Sequence, residues 1–167
     1  MTQTKNVQKM TLLGFLLAVS MVLSYVESQI PFFFGVPGMK LGLPNMAVVM
    51  ILYLYGWKEG LVVNVLRIVL NGFLFGNLSM ILFSLSGAAV SFVMMLLLKK
   101  TDAFDITGVS MGGGWAHNAG QILVAMFVVK TSGMLYYLPL LAVAGIVTGW
   151  LNGYVARLVI PRVKGKV

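Results

Sequence analysis

The sequence predicts an all-α integral membrane protein, a bundle of about six transmembrane helices with both termini cytoplasmic. Three observations carry that expectation. Of 167 residues, 59% are apolar and only 10% charged, where a soluble domain carries about 25% charged residues. A soluble fold of this size would leave apolar patches on its surface that aggregate, whereas a bilayer accepts them. The apolar residues also fall into separate blocks, and the basic residues gather on one side when the blocks are threaded through a membrane.

The first block, Met10–Val26, follows a short polar tail with Lys5 and Lys9. No small-residue cleavage site follows it, so it reads as a retained helix and not a removed signal. Leu43–Tyr55, Leu61–Phe75, Met80–Leu98 and Trp115–Val129 come next, and Met134–Ile160 is the longest. The second, third and fifth blocks fall short of the roughly 20 residues that cross a bilayer unaided. Short spans are admissible where irregular backbone is buried in protein or lines a cavity. Five helices is the main alternative count. With the N-terminus inside, Lys5, Lys9, Lys58, Lys99, Lys100, Arg157, Arg162, Lys164 and Lys166 fall on the cytoplasmic side. Only Lys40 and Lys130 fall outside, and Arg67 lies within a helix. No linker divides the chain, so residues 1–167 form a single membrane domain in a plasma membrane.

Scattered basic residues argue against a nucleic-acid partner despite the net charge of +8. The absence of cysteine excludes disulfides and thiolate metal sites. A single histidine makes no metal site either, so no metal, cofactor or catalytic group is expected.

The stretch PFFFGVPGMKLGLPN, residues 31–45, cannot form a continuous helix because of its prolines and glycines, yet its phenylalanines keep it apolar. Two readings stand open, a folded cap dipping into the outer half of the membrane or a loop at the interface. Pro44 suits the first turn of the second helix. Gly14 and Ala18 form a small-xxx-small pair on the first helix, and Gly145, Gly149 and Gly153 form a longer ridge on the sixth. Such ridges let helices approach closely. The ridge on the sixth reads as internal packing, and the pair on the first helix suits a partner subunit equally well.

Polar residues inside the blocks are the candidate site. Asn64, Arg67 and Asn71 share one helical face, and a charge in hydrocarbon costs about 2.5 kcal/mol or more. Arg67 offers a planar fork for carboxylate or phosphate. It reads either as a substrate clamp or as half of a pair with Glu27, the one acid outside the cytoplasmic loops. The run WAHNAGQ, residues 115–121, places His117 and Gln121 on one face with Asn118 beside them. These residues suit hydrogen bonds to a substrate or between helices. Gly112–Gly114 lack the Lys-Ser/Thr of a phosphate loop and read as close packing or a helix start. Asn45, Asn77 and Lys40 would close an outward-facing pocket over Arg67, between the second, third and fifth helices.

The runs KLGLPNMAVVMILYLYGWKEGLVVNVLRIVLNGFLFG (residues 40–76), FSLSGAAVSFVMMLLLK and AHNAGQ together resemble the Gx transporter family, often labelled heptaprenyl diphosphate synthase component I. The resemblance covers most of the chain. It implies a fold like the substrate-binding S components of energy-coupling factor (ECF) transporters, with a ligand pocket open to the outside. It also implies docking of a coupling subunit, with its ATPases, on the small pair Gly14 and Ala18, where the family pattern is AxxxA-like. Genes of such proteins often stand beside those of flavin-linked electron transfer or quinone metabolism, which implies a flavin- or isoprenoid-related ligand. Three functions follow as expectations. The first is the substrate-binding subunit of a small-molecule uptake transporter with an anionic ligand. The second is a membrane anchor or assembly subunit of a flavin-linked extracellular electron-transfer system. The third, an accessory role in heptaprenyl diphosphate synthesis, is weakened by chemistry: prenyl transfer normally uses clustered aspartates on Mg²⁺, and this chain holds four acidic residues in all.

Overall fold

In the computed structural model, residues 2–29 and 42–164 are described, and they form six α-helices. These are α1 (Thr2–Gln29), α2 (Asn45–Leu54), α3 (Trp57–Phe75), α4 (Leu78–Lys100), α5 (Ile106–Val129) and α6 (Leu138–Lys164). A short 3-10 turn, Ser132–Tyr137, leads into α6. The helix count matches the sequence expectation. The membrane-dipping cap expected over residues 31–45 lies outside the described residues except for its last four positions, and so does Lys40.

Local chemistry explains the helix starts. Asn77 and Asp105 have extended backbone, and their side chains accept hydrogen bonds from Met80 N at 2.9 Å and Gly108 N at 2.8 Å. Each satisfies a backbone donor that a helix start leaves over. Capped by Asp105, α5 begins well before the expected Trp115, so this helix reaches 24 residues and is not short. Gly112–Gly114 therefore lie inside it. Their role is close packing, and the helix-start reading falls.

Helix α2 is only 10 residues long, as the sequence indicated. Its shortness is tolerated because Val48, Val49 and Ile51 are wholly buried and α1, α3, α5 and α6 surround it. A helix apolar on every side belongs in a core. Around it the usual distribution is inverted. Phe73, Leu78, Phe127 and Leu140 are exposed, while Arg67, Asn64, Asn71, His117, Asn118, Gln121 and Asn152 are buried. Exposed apolar area on this scale marks a surface made for lipid or for protein. Three helical stretches, Lys5–Gln29, Leu78–Lys100 and Ser132–Lys164, are long and apolar enough to cross a membrane.

The charged side chains join at one end of the bundle. Lys9 on α1 bridges to Glu59 on α3 and lies over the Tyr55 ring. Lys99 at the end of α4 donates to Leu52 O at the end of α2, at 2.7 Å. Arg157 on α6 meets Asp105 at 3.3 Å. At the opposite end the Tyr25 and Phe75 rings pair at 5.0 Å between α1 and α3.

Small residues set the tightest packing. Helices α5 and α6 form the most extensive helix pair, and the ridge Gly145–Gly149–Gly153 faces α5 directly. A methyl group on Gly149 would stand 2.5 Å from Ser110 O and 2.7 Å from Met111 Cα. Gly114 and Gly145 meet backbone to backbone. The ridge is internal packing, as expected. Gly14 differs: among the described residues nothing lies within 4 Å of a methyl group placed on it, and Ala18 one turn on is exposed too.

Candidate functional site

The polar face of α3 turns into the bundle and meets the first residue of α2. Arg67 donates through Nε to Asn64 Oδ1 at 3.0 Å and through a terminal nitrogen to Asn45 Oδ1 at 2.8 Å. Asn64 presents its oxygen because it stands one helical turn before the arginine. Asn71, one turn beyond, donates its amide to the Arg67 carbonyl at 2.8 Å. Its Oδ1 is buried and has no hydrogen-bond partner among the described residues.

The second centre is Gly42, at the start of the described chain before α2. Its N–H donates to Glu27 Oε1 at 2.6 Å and its carbonyl accepts from Asn152 Nδ2 at 3.0 Å. It is buried with φ +92°, a backbone that side chains resist. A methyl group there would stand 3.0 Å from Asn45 Nδ2 and 3.6 Å from His117 Cδ2. Glu27 of α1, Asn45 of α2, His117 of α5 and Asn152 of α6 thus converge on one glycine. Glu27 also acts electrostatically on Arg67, so the carboxylate serves both the loop and the guanidinium. Gly42→Ala should lower stability by about 1–2 kcal/mol from backbone strain alone, read as an earlier thermal transition in detergent.

The remaining residues of α5 divide. His117 and Gln121 pack against Gly87 of α4, where a methyl group would stand 3.0 Å from His117 Cε1 and 2.8 Å from Gln121 Cγ. Asn118 instead donates to the Leu141 carbonyl of α6 at 2.6 Å, beside the glycine ridge. That bond clamps α5 to α6. Asn77, expected near the pocket mouth, is exposed and caps α4.

Arg67, Asn45, Asn64, Glu27 and His117 are therefore brought together by α1, α2, α3 and α5, with Gly42 between them. Asn152 joins from α6 and was hidden in the sequence within the glycine ridge. The signal was a lone amide in an apolar run, which must find a partner in a dry interior. Ser24 and Ser84, buried in the walls beside Arg67, were missed because serine bonds readily to its own helix and advertises nothing. Chemically, the centre offers a fixed guanidinium with neutral amides around it, a set that suits a carboxylate or phosphate.

Fold and site together define a class: a six-helix bundle with apolar exterior and a polar, charged interior, three of whose helical stretches can cross a membrane. A family model described as heptaprenyl diphosphate synthase component I matches residues 16–159, and the protein belongs to that family. No curated protein and no solved structure matches it.

Proposed function

We propose that the chain is the membrane-embedded, S-component-like binding subunit of a small-molecule uptake transporter, with an anionic ligand related to flavins or isoprenoids. The observation that carries this reading is Arg67, a buried guanidinium that donates to the neutral side chains of Asn45 and Asn64. Glu27 acts on it too, but that carboxylate also holds the Gly42 amide. A permanent charge in so dry a place has to be repaid, and an incoming anion does so. On this reading the bundle sits in the plasma membrane with its basic end in the cytoplasm, as lysines and arginines near helix ends dictate. The pocket then faces outward. The protein would bind and deliver, with any ATP hydrolysis supplied by another chain, since the sequence carries no Walker-type phosphate loop.

Exposure of Gly14 and Ala18 fits them as a docking face for a coupling subunit. Gly14→Leu should leave thermal stability within about 0.5 kcal/mol and abolish co-purification of that partner. A normal pull-down would remove the assignment. The same exposed face also serves the second reading, an anchor or assembly subunit of a flavin-linked electron-transfer system.

The family description raises prenyl diphosphate synthesis. Asp102 and Asp105 are exposed on the α4–α5 connection and Asp105 is engaged with Arg157, while Glu59 bridges to Lys9. Among the described residues no three acidic or histidine side chains gather where they could hold a metal ion, so an accessory role fits better than catalysis, and condensation of allylic and isopentenyl diphosphates by the pure protein would refute this. The deciding experiment is mass spectrometry of small molecules released from gently purified protein. A stoichiometric metabolite supports the binding subunit, and an empty protein that brings down a partner complex supports the anchor.

A further inference from the structure

Beside the buried Arg67 the helices leave one narrow gap. Among the described residues, the backbone of α1 packs on α2 and α3 and does not approach that of α4, which packs on α3 and α5. Helix α3 is thus the floor of a cleft whose walls are α1 and α4. Ser24 of α1, Arg67, Asn71 and Gly72 of α3, and Met80 and Ser84 of α4 line it. The cavity is narrow, about 10 Å³, room for one water molecule.

Its lining is wrong for a packing defect. A gap between lipid-facing helices ordinarily closes with apolar side chains, but this one carries the site arginine, two hydroxyls and an amide. Among the described residues Asn71 Oδ1 has no hydrogen-bond partner, although the residue is only 5% exposed. A buried acceptor in that state forfeits a hydrogen bond unless something enters to donate one. Beside these lining residues along the same helices stand exposed apolar ones, Tyr25 next to Ser24 on α1 and Phe73 next to Gly72 on α3, with Phe75 and Leu78 nearby in the chain.

We propose that the ligand of Arg67 is an amphiphile, an anionic phosphate or carboxylate headgroup on an apolar body, which reaches the guanidinium sideways through the cleft between α1 and α4. The inference rests on the reading of Arg67 as a ligand-binding residue and names the substrate class for it. The headgroup takes the guanidinium and the serine hydroxyls, and a hydroxyl or amide N–H next to it satisfies Asn71 Oδ1. The body lies between α1 and α4 against Met80. Entry requires α1 to swing away from the cleft, and α1 is held at its basic end by Lys9–Glu59 and at the other by Tyr25–Phe75.

The chain contains no cysteine, so a single Ser84→Cys reports on the cleft without background. The full-length variant in phosphatidylcholine nanodiscs is modified with N-ethylmaleimide in the presence of dodecyl phosphate or inorganic phosphate. Dodecyl phosphate should slow modification at least about fivefold through occupancy of the site, inorganic phosphate should not, and adding Arg67→Lys should abolish the protection. Slow modification in phosphatidylglycerol discs without additive would assign the same cleft to a bilayer lipid headgroup. Equal protection by inorganic phosphate, or none in any condition, overturns the proposal. Met80→Cys repeats the test on the same wall if Ser84→Cys fails to fold. Failure here is separable from failure of the binding function: a native metabolite whose retention still depends on Arg67 would leave that function intact and remove only the lateral amphiphile.

Discussion

Arg67→Ala is expected to weaken retention of the native ligand by about 100-fold or more, since two charge-assisted hydrogen bonds of about 1.5–3 kcal/mol each disappear. Arg67→Lys keeps the charge but loses the planar fork, and about a tenfold loss is expected. The measurement is ligand content per mole of purified protein, with equilibrium rebinding once the ligand is known. Stability moves differently. Alanine leaves Asn45 Oδ1 and Asn64 Oδ1 without their donor, at about 1–3 kcal/mol for each unsatisfied group, and it also removes a buried charge that was itself unfavourable. The two terms oppose, so the melting temperature should shift modestly while binding collapses. Normal ligand content in either variant would show that the arginine serves packing. If the alanine variant does not fold, the lysine variant decides alone.

Much of this arrangement was legible beforehand because charge and periodicity leave strong marks. Arg67, Asn64 and Asn71 at spacings of three and four had to share a face, and no bilayer-facing solution exists for a permanent charge. The inward turn of α3 follows from that alone. The start of α5 was harder to see. Its glycines resemble a break when only backbone preference is weighed, and they become helix interior once a neighbouring backbone needs the room. For Gly114 that neighbour is Gly145 on α6, remote along the chain and adjacent only through tertiary packing, so local sequence does not express the need. Glu27 shows a third situation. Elimination left it as the one acid outside the cytoplasmic loops, a candidate partner for Arg67, but could not reveal that its oxygen would hold the Gly42 amide. Such a bond depends on a loop folding back into the bundle. Asn118 illustrates the converse: its position beside His117 suggested a ligand contact, and the approach of α6 gave it the Leu141 carbonyl instead.

Gly149→Leu is expected to be the most damaging single change outside the site. A methyl group alone at that position meets Ser110 O at 2.5 Å and Met111 Cα at 2.7 Å, so even alanine forces α5 and α6 apart. Overpacking a core typically costs about 1–3 kcal/mol when side chains can shift. Here the obstacle is backbone, which yields only by moving a whole helix, and about 3 kcal/mol or more is expected for leucine. Separation would also stretch the Asn118–Leu141 bond, which spans the same interface. The consequence reaches the site, because Asn152 holds the Gly42 carbonyl from the turn following Gly149, and His117 on α5 borders the same glycine. Gly149→Leu should therefore lower the thermal transition steeply and release bound ligand together with it. Gly14→Ala is the matched control: with open space around it, the better helix former should be neutral or stabilising by up to about 1 kcal/mol. Equal melting temperatures for Gly149→Leu and Gly14→Ala would mean that α5 and α6 do not associate through this ridge, and the inward placement of His117 and Asn152 would lose its support.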